Sequence, residues 1–281
     1  MNHTPRAKER ELGERIASVG AVVVAYSGGV DSAYLASVCH GVLGERALAV
    51  TAVSPSLSHR ERRDAEALAA RWGWNHATVE THEVARDEYS RNGSDRCYWC
   101  KTELFEVLAP IASARDARIA VGTNLDDLSD HRPGRRAARE NDVITPLADA
   151  GLSKGEIREL AAARNLPVAD KPASPCLASR FAYGVRVTPE GLERVDNAEE
   201  ALRALGFRVL RVRDHGDLAR IELEPGEIER AGGLRTEIAA ALRSLGFKYV
   251  TLDLEGFRSG SLNEALLQPR IAPRWGSSAS R

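Results

Sequence analysis

The sequence predicts an α/β chain: a doubly wound parallel sheet, with a smaller C-terminal α+β domain. Three observations predict it. From residue 1 to about 170, short apolar runs alternate with helical periods, the pattern of strands joined by crossover helices. Turns rich in Gly, Ser and Asn follow the ends of three expected strands, where such sheets bind ligands. Further on the texture changes. "ALRALGFRVLRVR" starts at 201 and "ALRSLGFKYVTLD" at 241, forty residues apart, which reads as a helix–strand pair used twice rather than a solenoid.

The elements follow in order. "MNHTPRAKERELGERIASVG" reads as a charged helix without the apolar stretch of a leader. "AVVVAY" (21–26) is too short and too β-branched for a helix and reads as a strand. "AYLASVCHGVLG" follows as a helix with Leu35, Val38, Val42 and Leu43 on one face. Strands are expected at 46–53, 76–84 and 118–124, and helices at 60–74 and 101–115. A helix over 153–167 should be capped by Ser153 with Glu156 completing a capping box. "VADKPASPCLASRFAYG" (168–184) carries two prolines and no helical period, and reads as a linker. Beyond it, "RIELEPGE" (220–227) is expected to pair with 207–213, and the tail after about 268 to be disordered. The expected domains are 1–170, a linker at 171–186 carrying Cys176, 187–268, and the tail 269–281.

Between the first strand and its helix stands "SGGVDS" (27–32). A strand–glycine turn–helix presents free backbone N–H groups and the positive helix end to an anion. Gly28 and Gly29 let a phosphate approach the backbone, Val30 stands in the same phosphate-facing turn, and the hydroxyls of Ser27 and Ser32 add donors. Asp31 makes sense beside phosphate if Mg²⁺ sits between them, or if it caps the helix. The hexapeptide has no P-loop lysine and is not G-x-G-x-x-G. "SPS" at Ser54 and "GTNLDD" with Gly122, Thr123 and Asn124 also follow strand ends, so all three turns should meet around one pocket.

The bulk composition narrows the partners. A net charge of −1 and a near-neutral pI provide no electrostatic footprint for nucleic acid. No run approaches the ~20 apolar residues of a membrane span. The four cysteines are too few and too unevenly spaced for a secreted disulfide scaffold, so a cytoplasmic location with reduced thiols is expected. Cys39 falls beside Val38 inside the first sheet helix and reads as a core residue. Cys97 and Cys100 form "CYWC" just ahead of an expected helix, and Cys176 lies in "SPCLASR". Such a set can be a redox pair plus one, part of a zinc site completed by His76, His82 or His131, or the ligands of a 4Fe–4S cluster with one iron open. Arg180 is placed to meet a phosphate. Arg211 and Arg213 alternate on a strand and share a face suited to anionic groups, and Trp99 offers a ring for stacking or for packing.

"SGGVDS" is the signature of the PP-loop ATP pyrophosphatases, the adenine nucleotide alpha hydrolase-like fold. Together with "AVSPS", "DRCYWCKTELF", "VGTNLDDLSDHRPG" and "KPASPCLASRF" it makes nearly the whole chain resemble the LarE family. These are pyridinium-3,5-biscarboxylic acid mononucleotide sulfurtransferases of nickel-pincer cofactor biosynthesis. The resemblance implies that ATP, with Mg²⁺, adenylates a substrate carboxylate and that sulfur then displaces AMP. It implies ATP contacts from the PP-loop, Ser54, Gly122–Asn124 and Arg180, with catalytic roles for Asp31 and Cys176. The one-cysteine branch surrenders the sulfur of the residue matching Cys176. Members with cysteines matching Cys97, Cys100 and Cys176 resemble enzymes that hold a 4Fe–4S cluster and transfer a cluster-bound sulfide. A small-molecule mononucleotide partner and a homo-oligomer are expected. A tRNA thiolase, an ammonia-using synthetase and a non-enzymatic nucleotide-binding module are the rival readings.

Overall fold

The computed structural model describes residues 4–128 and 133–258. By internal packing the chain divides into two compact units, Met1–Asp196 and Asn197–Arg281.

The first unit opens with α1 (Pro5–Val19), whose N-terminus is capped by the Thr4 side chain. Then come β1 (Val22–Ala25), α2 (Val30–Leu43), β2 (Ala47–Val53), α3 (His59–Arg71) and β3 (His76–Glu80). A single-turn α4 (Asp87–Ser90) precedes the long α5 (Arg96–Ala114) and β4 (Arg118–Ala120). Short helices α6 (Gly134–Glu140) and α7 (Pro146–Asp149) lead to α8 (Lys154–Ala163). The four strands stand in the order β3-β2-β1-β4, all parallel. A bridge from Ala120 to Ile144 extends the β4 edge.

Alternation along β1 decides which core each residue joins. Val22 and Val24 pack with Leu12, Ile16, Leu35, Ile157 and Leu160 on one face, and Val23 packs with Leu104, Phe105 and Leu108 on the other. With helices on both faces this is the doubly wound α/β sheet that the alternating pattern predicts. α2 departs from a one-faced helix. Ala33, Tyr34, Leu35, Ala36, Val38 and Cys39 are all buried, while Val42 is exposed. It lies between the sheet and helices α1 and α8, so nearly its whole circumference is core.

Several boundaries move. The strand expected over 76–84 ends at Glu80, and a 3-10 turn follows at Glu83–Ala85. The strand expected over 118–124 stops at Ala120, because "VGTN" leaves the sheet to form the turn beside "SGGVDS". The helix expected from 101 begins at Arg96, so "CYWC" lies within its first turn. α8 has the expected capping box: Ser153 accepts from the Glu156 N–H, and Glu156 accepts from the Ser153 N–H at 2.9 Å. The tail after 268 and His131 lie outside the described residues.

The second unit holds a three-stranded sheet in the order β5-β6-β7, made of β5 (Leu210–His215), β6 (Leu218–Leu223) and β7 (Tyr249–Leu252). β6 is antiparallel to β5 and parallel to β7. Helix α9 (Pro189–Ala204) crosses into this unit, and α10 (Ile228–Gly233) and α11 (Arg235–Ser244) follow β6. The recurrence is visible in the helix ends. Gly206 (φ 91°) and Gly246 (φ 94°) both take a left-handed conformation after their helix. Phe207 and Phe247 then turn inward, donating their N–H to Leu202 and Leu242, and both rings are buried.

Candidate active site

β1 has β2 on one side and β4 on the other, so chain direction around the sheet reverses between β1 and β4. The crevice outside the carboxyl ends of these two strands is where open α/β sheets bind ligands. "SGGVDS" leaves β1 there and "GTN" leaves β4 there. The two turns are in contact. A Cβ on Gly122 would come within 2.9 Å of the Ser32 nitrogen, and one on Gly28 (φ 74°) within 2.9 Å of the Ala65 Cβ. Both glycines are therefore required by sterics. Ser32 Oγ accepts from the Ser27 N–H at 3.2 Å and donates to the Gly29 carbonyl at 3.1 Å, which closes the loop on itself. Gly29 occupies the α2 N-cap without a side-chain bond, leaving Val30 and Asp31 in the first turn.

Asp31 is not a cap. Its carboxylate meets Lys154 Nζ at 2.5 Å and Asn124 Nδ2 at 3.4 Å. Asn124 is itself buried and forms a reciprocal turn with Asp127. The Thr123 carbonyl accepts from the Ala148 N–H, holding this loop to α7. Ser54 and Ser56 both donate to Glu83 Oε1, at 2.5 and 2.6 Å, and Glu83 is buried.

The segment after α8 is pinned at successive points to this end of the sheet. Lys171 Nζ reaches the Gly28 carbonyl at 3.4 Å and Glu61 at 2.7 Å. The Leu177 N–H donates to Ser56 O at 2.9 Å. Arg96 Nη1 donates to Ala178 O at 2.9 Å and to Asn92 Oδ1, and Asn92 Nδ2 donates to Ala182 O at 2.8 Å. Arg180 is buried, not a surface arginine. Its Nη1 donates to the carbonyls of Pro175 (2.6 Å) and Cys176 (3.1 Å). Leu177, Ala178 and Phe181 fill a small core with Val84 and Tyr89, against which Trp99 and Cys100 pack. The stretch read as a linker is thus a fixed strap from the PP-loop to the first turn of α5.

That strap brings Cys176 within electrostatic reach of Cys97 and Cys100, which stand three residues apart on one face of α5. Cys97 and Cys176 are exposed and Cys100 is half-buried. The thiols sense one another. Crowding by protein raises the Cys97 pKa, helped by Cys176, although Arg96 and Lys101 pull it down. Desolvation pushes Cys100 up to about 12, with Glu83, Cys176 and Cys97 adding to it. A helix N-terminus favours the thiolate, but at Cys97 and Cys100 burial outweighs it. Burial works against the Arg96 charge as well, but Cys176 and Cys97 more than offset it, and its pKa rises. Cys39 is remote core, pushed up to about 12 by desolvation. His76 is engaged by Thr51 at 3.0 Å, and His82 is exposed. Among the described residues no three His, Cys, Asp or Glu groups converge tightly enough for a single metal ion.

Trp99 donates its Nε1–H to Asp95 at 3.0 Å and meets Tyr98 edge-on. Arg211 and Arg213 lie in the second unit and are both buried. They do not form a solvated sheet face. Arg213 is gripped by Glu222 through Nε at 2.9 Å and Nη2 at 2.8 Å, and Arg211 lies over the Phe257 ring.

Sequence reasoning did not single out Lys154, Lys171, Glu83 and Arg96. Lys154 carries a signal in retrospect: it directly follows the Ser153 cap, and a helix start in a parallel sheet faces the ligand end. Glu83 and Arg96 had none, since Ser54 and Ser56 for the one and Ala178 for the other come from other segments.

Residues 7–96 match the family profile described as NAD synthase. A pyridinium-3,5-bisthiocarboxylic acid mononucleotide synthase of Lactiplantibacillus plantarum is 35% identical, with 96% of this chain and 98% of that protein aligned. An uncharacterised protein of Synechocystis is 45% identical over 92% of this chain and 98% of its own length. Another from Methanocaldococcus jannaschii is 31% identical over 85% and 91%. With the PP-loop at the switch point of a parallel sheet and relatedness that runs almost end to end, the chain belongs to the LarE family of PP-loop, ATP-using enzymes.

Proposed function

We propose that this protein is an ATP-dependent sulfurtransferase of nickel-pincer cofactor biosynthesis, acting on pyridinium-3,5-biscarboxylic acid mononucleotide. The observation that carries the reading is the strap. One segment contacts the PP-loop through Lys171, the β2 turn through Leu177 and the start of α5 through Ala178, with Cys176 between the last two contacts and Cys97 and Cys100 beside them. Nucleotide chemistry and sulfur chemistry thereby share one end of the sheet.

In the first step a substrate carboxylate oxygen attacks the α-phosphorus of ATP and pyrophosphate leaves. The PP-loop N–H groups, Ser27, Ser32, Ser54 and the Gly122–Asn124 turn are the proposed phosphate and nucleotide contacts. Asp31 is proposed to help hold Mg²⁺, with Lys154 balancing its charge until the cation binds. In the second step sulfur attacks the acyl carbon and AMP departs, a far better leaving group than the original oxygen. Arg180 is the proposed adenylate contact and also fixes Cys176 through its carbonyl. Arg211 and Arg213 are proposed for the substrate's anionic groups, with Glu222 setting the Arg213 fork, and Trp99 for its ring.

Cys97, Cys100 and Cys176 are the three thiols proposed to hold a 4Fe–4S cluster, with the buried Arg96 beside them. When bound, such a cluster would supply an open iron position for the transferable sulfur. The exposed position of Cys176 favours one other reading, in which its own sulfur is surrendered. Intact-protein mass spectrometry after a single turnover with ATP and substrate separates the two. The cluster reading expects unchanged polypeptide mass and loss of transfer in Ser variants of all three cysteines. A polypeptide lighter by H₂S, with C97S and C100S still active, gives the sacrificial route. ADP and phosphate as products would overturn the ATP chemistry altogether.

A further inference from the structure

Glu83 stands in the 3-10 turn that follows β3, and it is buried, at 3% exposure. Among the described residues no Lys, Arg or His side chain pairs with it. A buried carboxylate without a cation is costly, so what its oxygens hold decides why it is there. Oε1 accepts from two hydroxyls, Ser54 Oγ at 2.5 Å and Ser56 Oγ at 2.6 Å. These serines form the turn after β2, and Ser54 Oγ also accepts from the Ser56 N–H at 3.2 Å. That turn carries the strap, because the Ser56 carbonyl accepts from the N–H of Leu177, the residue after Cys176, at 2.9 Å. On its other side the Glu83 turn is anchored to α5. Glu103 of that helix accepts from the His82 N–H at 3.0 Å and from Arg86 Nε at 2.6 Å, so it clamps the residues just before and just after Glu83–Ala85.

We propose that Glu83 is a positioning residue: it couples the turn after β2, where the nucleotide is proposed to bind, to the strap that carries Cys176. One carboxylate oxygen fixes both serine hydroxyls, and the same turn holds Leu177 through its backbone, so a shift in one is carried to the other. The Ser54 proton is committed to Glu83, so a nucleotide that reaches Ser54 meets an oriented hydroxyl rather than a free rotor. The clamp by Glu103 gives the carboxylate a rigid base on α5. The purpose of the coupling rests on the sulfur-transfer reading, in which an acyl-adenylate must meet its sulfur in a fixed geometry. Its test reads the strap directly and needs no turnover.

The test is hydrogen–deuterium exchange, read by peptide mass spectrometry, on the full-length wild type, Glu83→Ala and Glu83→Gln, with and without α,β-methylene-ATP and Mg²⁺. In wild type the nucleotide should slow exchange both in the PP-loop peptide and in the strap peptide that contains Leu177. In Glu83→Ala the strap should exchange about ten- to a hundred-fold faster without nucleotide, the worth of hydrogen bonds to a charged acceptor. Nucleotide should then slow the PP-loop alone. Glu83→Gln keeps an acceptor oxygen and should restore most of the strap's protection and of its response to nucleotide. Peptides from α1 should exchange alike in all three proteins. Strap exchange in Glu83→Ala equal to wild type would overturn the proposal, as would a strap in that variant that still responds to nucleotide. So would equal acceleration of α1 and the strap in both variants, since Glu83 would then serve the stability of the whole unit. A strap released in Glu83→Ala, when the wild type releases no pyrophosphate from ATP with the mononucleotide, would leave the coupling standing and overturn the function instead.

Discussion

Asp31 and Cys39 sit on the same helix and show how position assigns chemistry to a residue. Asp31, in the first turn, faces the crevice and holds Lys154 and Asn124. The ion pair is part-exposed, with side chains 36% and 22% accessible, so it adds only about 0–1 kcal/mol to stability. Asp31→Asn should therefore melt close to wild type. If Asp31 organises Mg²⁺, pyrophosphate release should fall about ten- to a hundred-fold, the worth of a charge-assisted contact. An unchanged rate at saturating Mg²⁺ would reduce Asp31 to a loop anchor. Cys39 lies two turns later, fully buried, and desolvation raises its pKa from 9.0 to about 12. The folded state thus keeps a proton that the unfolded state gives up. Its contribution is fully present below pH 9 and is lost as pH rises toward 12. Melting of wild type and Cys39→Ala at neutral and alkaline pH should show wild type losing ground to the variant as pH rises; parallel losses would show no linkage through this thiol.

At the scale of elements, the site depends on turns that only glycine can make. The β4 turn lies on the start of α2 because Gly122 has no side chain, and its nearest neighbours are backbone atoms that cannot swing aside. Gly122→Ala should push the Gly122–Asn124 turn off the PP-loop. ATP affinity should drop at least ten-fold by calorimetry, while the far-UV circular dichroism spectrum keeps its helical content. Wild-type affinity in this variant would show that the turns are not coupled. The start of α5 carries the complementary lesson. "CYWC" was expected ahead of a helix and lies within one, because Arg96 is buried and tied to Asn92 and Ala178. The pairing of the two cysteines on one face follows from that one-turn shift.

Taken whole, the molecule has two compact units, and the second carries its own buried charge network. Arg213 and Arg220 both meet Glu222, whose side chain is 1% accessible. Arg213→Ala removes one partner of a buried carboxylate, a change that costs about 3–5 kcal/mol when no other cation remains. Arg220 should soften it. The variant is expected to melt lower as well as to raise the substrate KM, with ATP binding retained. A raised KM at unchanged melting temperature would identify substrate binding alone; a lowered melting temperature at unchanged KM would return Arg213 to the framework. Among the described residues no helix is long and apolar enough to cross a membrane.

The doubly wound sheet, the glycine turn after β1 and the capping box of α8 were legible in the chain, because each rests on local rules: strand brevity, helical period, side-chain caps and the φ freedom of glycine. The recurrent "LGF" likewise announced the two matching helix ends. What the chain could not reveal is everything made by segments far apart in sequence. Lys154 against Asp31, Glu83 beneath Ser54 and Ser56, and Arg96 under the Cys176 strap all arise where separate crossovers end together. Periodicity carries no record of such pairings. "SPCLASRF" reads as an irregular linker because its order comes from hydrogen bonds to other elements rather than from a repeat of its own. Sequence alone therefore determined the fold and the kinds of chemical group present; the tertiary structure decided which groups meet, because burial and long-range hydrogen bonds exist only once the sheet has closed.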